Sequence, residues 1–233
     1  MAQARPILEL SKAMVAARSD VTPHGQLTLG LLPGELTLLD ARDPRRATWL
    51  ADLCCGLFPL AEGAIRFLGH DWHKLHYDYA AALRGRIGRV VAGGGWIASI
   101  DMATNILLPQ LHHTRIPRPQ LFAEATRIAA GFGLPGLPVG HVEDSSALDL
   151  ARSAYVRAFL GQPALLILED PAEGHVAELL PPLLNAMAAA RAEGSAVLWL
   201  TDERRVWEDR TIVASHRLRL HDYGLRPAGR AAA

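Results

Sequence analysis

Two adjacent carboxylates, Glu169 and Asp170, close the apolar run Ala164–Leu168. At the C-terminal end of a buried strand this is where α/β folds gather their chemistry, and the pair could act as general acid and base. No nucleophile or base partner for them is visible in the sequence. A cationic group, Arg42, Arg45 and Arg46, lies at the start of an expected helix. Helix dipole and guanidinium groups together could attract an anion there, and a solvated loop is the plainer alternative. His70, His73 and His76 with Asp71, and the pair His112-His113, resemble metal-ligand spacing. Imidazoles three apart can share a helix face. Gly69 and Asp71 indicate a turn, however, and no cysteine accompanies the histidines, so a solvated face is favoured and no metal is expected. The only two cysteines, Cys54 and Cys55, are neighbours within the apolar stretch LADLCCGL and read as reduced packing residues.

The elements that must position these groups follow from pattern. Residues 6–10 and 26–32 read as short strands, with a polar turn across 17–25. Pro33-Gly34-Glu35 marks a turn into a buried strand at Leu36–Leu39. A helix over roughly 47–57 ends at Gly56, a strand covers 63–68, and Ile87–Val91 is strand-like. Gly93-Gly94-Gly95 breaks regularity and opens a helical stretch, with helices at 101–110, 118–132 and 146–160. A buried strand at 164–168, a helix at 176–193 and a strand at 197–201 follow. A short helix and two weak strands complete the fold, and 226–233 is expected to fray. Alternating strands and helices imply a mainly parallel sheet covered by helices. The expected organisation is one domain: an α/β core of residues 1–92 and 161–225 with an antiparallel N-terminal part, and a helical subdomain over 93–160.

Composition narrows the function classes. The chain has 233 residues, half of them hydrophobic, with 24 Lys+Arg against 24 Asp+Glu. That length supports one large domain with a real core. Balanced charge argues against an electrostatic nucleic-acid binder. No apolar run approaches the ~18 residues of a membrane span, and the N-terminal stretch lacks the h-region of a signal peptide.

The order of these phrases resembles a known family. LGLLPGELTLLD, a loop, and a helix running into LCCGLFPLAEGAIRFLG are similar to the start of an ABC-transporter ATP-binding subunit. IGRVVAGGGWIASIDMATNILLP is similar to the stretch around the Q-loop of that family, and ARSAYVRAFLGQPALLILEDP to the helix after the signature motif with the Walker B strand. NILLPQLHH most resembles the ATPases of Mla/Mce-type phospholipid transporters. The resemblance covers about residues 6–222 and implies a P-loop NTPase-like fold.

It also implies where the chemistry should be, and there the residues depart. Walker A requires GxxxxGK[ST], whose glycines and amides cradle phosphate while the lysine reaches the outer phosphates. Aligned here are Ala41, Arg42, Asp43, Pro44, Arg45, Arg46, Ala47 and Thr48. The lysine position is Ala47, Arg46 replaces the last glycine, Pro44 lacks an N–H, and only Thr48 matches. The Q-loop position is Ala92. The signature position holds Ser145, Ser146, Ala147, Leu148 and Asp149, of which Ser146 alone matches. The Walker B carboxylates are reversed as Glu169 and Asp170, and the switch-histidine position is Asp202. No aromatic for stacking on adenine occurs at 13–16.

Phosphoryl transfer relies on positioning and charge neutralisation, which are the functions of the replaced groups. The expectation is therefore a catalytically degenerate subunit without significant ATP hydrolysis and with no cofactor. Its expected partners are a membrane permease, another ABC ATPase, or both. Such a subunit would be cytoplasmic and peripheral to the inner face of a membrane, with lipid as a possible cargo class. A weakly active ATPase that still binds ATP and magnesium, or a cytosolic binding protein reusing the fold, are the alternatives. Trp96, Ile97, Met102 and Ile106 lie where the family grips a permease, or else form ordinary subdomain core.

Overall fold

In the computed structural model, which describes residues 5–17 and 19–228, two sheets enclose a central helix. Strands β1 (Leu8–Val15), β2 (Leu27–Leu31), β4 (Leu60–Phe67) and β5 (His70–Asp71) form an antiparallel sheet in the order β2-β1-β4-β5. The second sheet has the order β10-β9-β3-β8-β7-β6. Its strands are β3 (Leu36–Asp40), β6 (Ile87–Val90), β7 (Leu165–Glu169), β8 (Ala196–Leu200), β9 (His216–His221) and β10 (Gly224–Pro227). Its neighbours pair in parallel except for the antiparallel hairpin of β9 and β10 at one edge.

The apolar character of β3, β7 and β8 has a direct cause: every residue in all three is buried. Parallel strands covered on both faces read as continuous apolar runs, since neither face can be polar. Successive side chains still point to opposite faces. Leu165 and Ile167 join Leu39, Leu198 and helix α1 (Pro44–Cys54) in one core that includes the antiparallel sheet. Leu166, Leu168, Val197 and Trp199 face the other core with helices α3 (Met102–His113), α4 (Arg118–Gly131), α5 (Ala147–Phe159) and α6 (Val176–Ala192). Helices α2 (Tyr77–Arg84) and α7 (Arg204–Glu208) are short and peripheral.

Two close approaches fix α3 and α5 to the sheet. A Cβ on Gly88 would lie 1.8 Å from the carbonyl oxygen of Ala158, so β6 and α5 meet at a distance only glycine permits. Buried Gln110 donates to the carbonyls of Gly85 and Leu160 at 3.1 and 3.2 Å, binding α3 to the ends of α2 and α5.

Several expectations need correction. β1 does not stop at Leu10; it continues to Val15 past a register irregularity at Lys12, whose φ is +49°. A bulge of this kind breaks the alternation by which a strand is read. The first helix starts at Pro44, three residues before the expected 47, because Asp43 caps it and proline suits its first position. α3 passes through Pro109 to His113 and is longer than expected. Arg226 and Pro227 belong to β10 instead of a frayed tail, and 229–233 lie outside the described residues.

Candidate functional site at the C-terminal end of the parallel sheet

The ends of β3, β6, β7 and β8 bring together the first turn of α1, the carboxylates of β7 and the segment after β8. In the first turn the backbone donors are satisfied within the chain. The Asp43 side chain accepts from the Arg45 N–H at 2.8 Å, and its carbonyl accepts from Arg46 and Ala47, both at 3.0 Å. The Arg42 N–H donates to Asp40 at 2.7 Å, while Arg42 itself sits at φ +64°, in the left-handed region. Asp40 is held in turn by Arg219 at 2.8 Å.

Two of the three arginines of this turn, Arg45 and Arg46, meet carboxylates. Arg45 pairs with Asp20 at 2.8 Å and with Asp43 at 3.1 Å, and Arg46 pairs with Asp222 at 3.1 Å. The exposed pair of Arg45 with Asp20 contributes about 0–1 kcal/mol. Ala41, Arg42, Asp43, Pro44, Ala47, Asp170, Thr201 and Asp202 border a cavity of about 10 Å³. That is roughly the space of one water molecule.

Beneath this turn lies a partly buried polar chain centred on the buried Glu169. Thr48 donates its hydroxyl to Glu169 Oε2 at 2.6 Å. Arg89, on β6, donates from Nε to Glu169 Oε1 at 2.7 Å and from Nη1 to Asp52 Oδ1 at 2.5 Å. The Glu169 side chain is 1% exposed, so its charge must be met inside the protein. Burial works against the charge on Arg89, but the hydrogen bond and charge of Glu169, with Asp52, outweigh it and raise its pKa.

Sequence reasoning passed over Arg89 and Asp52. Their signals were an arginine within the otherwise apolar IGRVV and the four-residue spacing from Thr48 to Asp52, which places both on one face of α1.

Asp170 follows directly, at φ +38°. Burial pushes its carboxyl above the usual range; the Thr201 hydroxyl opposes this, and Asp202, Glu173 and Glu169 reinforce it. Asp202 itself is exposed. Ala92, also exposed, leads into Gly93, Gly94 and Gly95, all with positive φ. Arg157 of α5 donates to the carbonyls of Gly94 and Gly95 and lies 4.3 Å from the Trp96 ring centre. Burial lowers the pKa of Arg157 to about 10.

At the start of α5, Ser146 is the helix cap: its hydroxyl accepts from the Asp149 N–H at 3.1 Å and donates to the Asp149 carboxylate at 2.9 Å. Asp149 also meets Arg152 at 3.3 Å. Ser145 precedes the cap, and Ala147 and Leu148 form the first turn.

Of the residues expected either to grip a partner or to fill the core, Met102 and Ile106 are fully buried and belong to the core. Their spacing of four places both on the inner face of α3. Ile97 is 44% exposed, with its N–H held by Asn105. The histidines do not share a helix face: His70 is in β5, His73 in a 3-10 turn and His76 caps α2. Among the described residues no group of three or more His, Cys, Asp or Glu is arranged to hold a metal. Cys54 and Cys55 are buried free thiols, and burial raises the pKa of Cys55 to about 11.

No family model matches the chain. The intermembrane phospholipid transport system ATP-binding protein MlaF of Haemophilus influenzae is 24% identical over 163 residues, covering 70% of this chain and 62% of that protein. The chain thus spans less than two thirds of that relative's length. Superposition on the dimeric ATP-binding cassette MJ0796 in a post-hydrolysis state gives a TM-score of 0.76 at 14% identity, covering 94% of this chain and 98% of that one. An ATP-binding subunit of an ABC transporter gives 0.75 at 16% identity, with 94% and 88% covered.

The fold is that of an ABC nucleotide-binding domain. Within this fold, residues 41–48 run from the end of β3 through the first turn of α1, and Glu169-Asp170 lie at the C-terminal end of β7. The helical stretch containing α3 to α5 lies between β6 and β7, and α5 begins at Ala147, after the Ser146 cap. No described helix is long and apolar enough to cross a membrane.

Proposed function

We propose that this chain is a catalytically degenerate ABC-type subunit, a structural or regulatory component of a membrane transporter, that docks without hydrolysing ATP. The reading rests on one observation above the others. Within the stretch aligned with a phosphate loop, the N–H groups of Arg42, Arg45, Arg46 and Ala47 are bonded to Asp40 and Asp43 of this chain, and Pro44 has none to offer. Magnesium-ATP fits these residues poorly: Ala47 supplies no cation, Asp43 places negative charge at the helix start, and Thr48 is engaged with Glu169.

The partners in this reading are a permease, another ABC ATPase, or both, at the inner face of a membrane. The MlaF relative supports phospholipid as the cargo class. In a head-to-tail pair, the changes at 41–48 and at 145–149 would spoil both composite sites, which favours a docking role over that of one half of an asymmetric motor.

A second reading, a weak ATPase, draws on the retained Thr48–Glu169 hydrogen bond and the adjacent Asp170. The deciding measurement is thermal unfolding with millimolar magnesium-ATP, together with phosphate release. No shift and no release are expected. Stabilisation following RT ln(1 + [L]/Kd) would overturn the proposal. So would an intact partner whose hydrolysis in the complex falls when residues 41–48 of this chain are changed.

A further inference from the structure

We infer that Arg89 is a resident internal cation, standing where a divalent metal would otherwise neutralise Glu169 and Asp52. The inference deepens the non-hydrolysing reading and rests on it. A hydroxyl and two carboxylates form a hard oxygen-donor set of the kind that suits magnesium. Here each member is already engaged. Glu169 gives Oε2 to the Thr48 hydroxyl and Oε1 to Arg89 Nε, and Arg89 Nη1 reaches Asp52. One guanidinium therefore bridges the end of β7 and the body of α1. It does so with a charge that is permanent at any physiological pH.

A metal entering this set would have to displace Arg89 from Glu169, whose side chain is 1% exposed, and leave a mostly buried guanidinium without its partner. Breaking a buried pair in this way is costly, so the protein excludes the metal by already containing its substitute. An ordinary structural ion pair would make a different prediction. Removing its arginine would weaken the fold but create no affinity for a cation.

The test uses manganese alone, without nucleotide, on the full chain. Uptake is read from the electron paramagnetic resonance of free Mn²⁺, and stability from thermal unfolding. Wild type is expected to take up no Mn²⁺ at millimolar concentration. R89M should melt lower, by on the order of 10 °C, bind about one Mn²⁺ per chain and regain stability with it. R89Q, which keeps a hydrogen-bond donor for Glu169 without the charge, should also bind Mn²⁺. R89K should remain indifferent to the metal. The double variant R89M/E169Q should recover stability but lose the uptake.

Wild-type uptake of Mn²⁺ overturns the assignment whether or not the variants fold, and so does a folded R89M or R89Q that takes up none. ATP binding without metal would sink the functional proposal while leaving Arg89 its role. Wild-type Mn²⁺ uptake with no response to ATP would do the reverse.

Discussion

The hydroxyl of Thr48 donates to Glu169 Oε2 at 2.6 Å, joining the first helix to the last residue of β7 across a sequence separation of 121. This contact ties the body of α1 to the C-terminal end of the parallel sheet. It also gives Glu169, the longer of the two carboxylates, the role of reaching the helix.

Replacing Thr48 by valine keeps the shape of that side chain and removes the donor. Glu169 Oε2 would then be buried without a partner, at a cost of about 1–3 kcal/mol. For a chain of this size the melting temperature should fall by roughly 2–12 °C. Circular dichroism melts check this, and an unchanged midpoint would show that the hydrogen bond contributes nothing.

Asp170 sets a pH dependence. Burial, the largest cause, raises its pKa above the ordinary 3.8 despite the opposing Thr201 hydroxyl, so the folded chain favours the protonated acid. That preference stabilises fully below the unfolded value and is lost as pH rises through the higher folded value. D170N, which cannot ionise, should therefore melt higher than wild type at neutral pH. The difference should shrink as the pH falls toward 3.8 and below. Parallel pH–stability curves for the two proteins would refute this.

Gly88 allows β6 and α5 to meet. G88A would drive a methyl group against the Ala158 carbonyl, where the separation would be 1.8 Å without movement. Overpacking against backbone costs about 1–3 kcal/mol or more. Chemical denaturation should show a lowered midpoint, and hydrogen exchange should show the loss of protection concentrated in α5.

Much of the fold was legible in the sequence because its causes are local or periodic. β3, β7 and β8 were visible as unbroken apolar runs, since both their faces are covered. α5 was visible through its alternating buried face, which carries Ala154, Tyr155 and Ala158. β1 was cut short because the bulge at Lys12 shifts the inward side chains out of register. The start of α1 was missed because residues 41–48 were aligned as a loop, although Asp43-Pro44 is itself a strong helix-initiation signal.

The site was legible as a set of substitutions, but not as a bonded network. Arg89 meets Asp52 and Glu169 from separations of 37 and 80 residues, and no periodicity reports such a meeting. Met102 and Ile106 could not be assigned to surface or core from hydrophobicity alone; the orientation of α3 decides it, and both are fully buried.

The grip of Arg157 on the triple glycine has a mechanical consequence. Three left-handed glycines would make residues 93–95 a free joint, but a side chain rooted in α5 holds two of their carbonyls and covers Trp96. The joint is thereby stiffened: residues 94–96 are fastened to α5, which the close approach at Gly88 fastens in turn to the sheet.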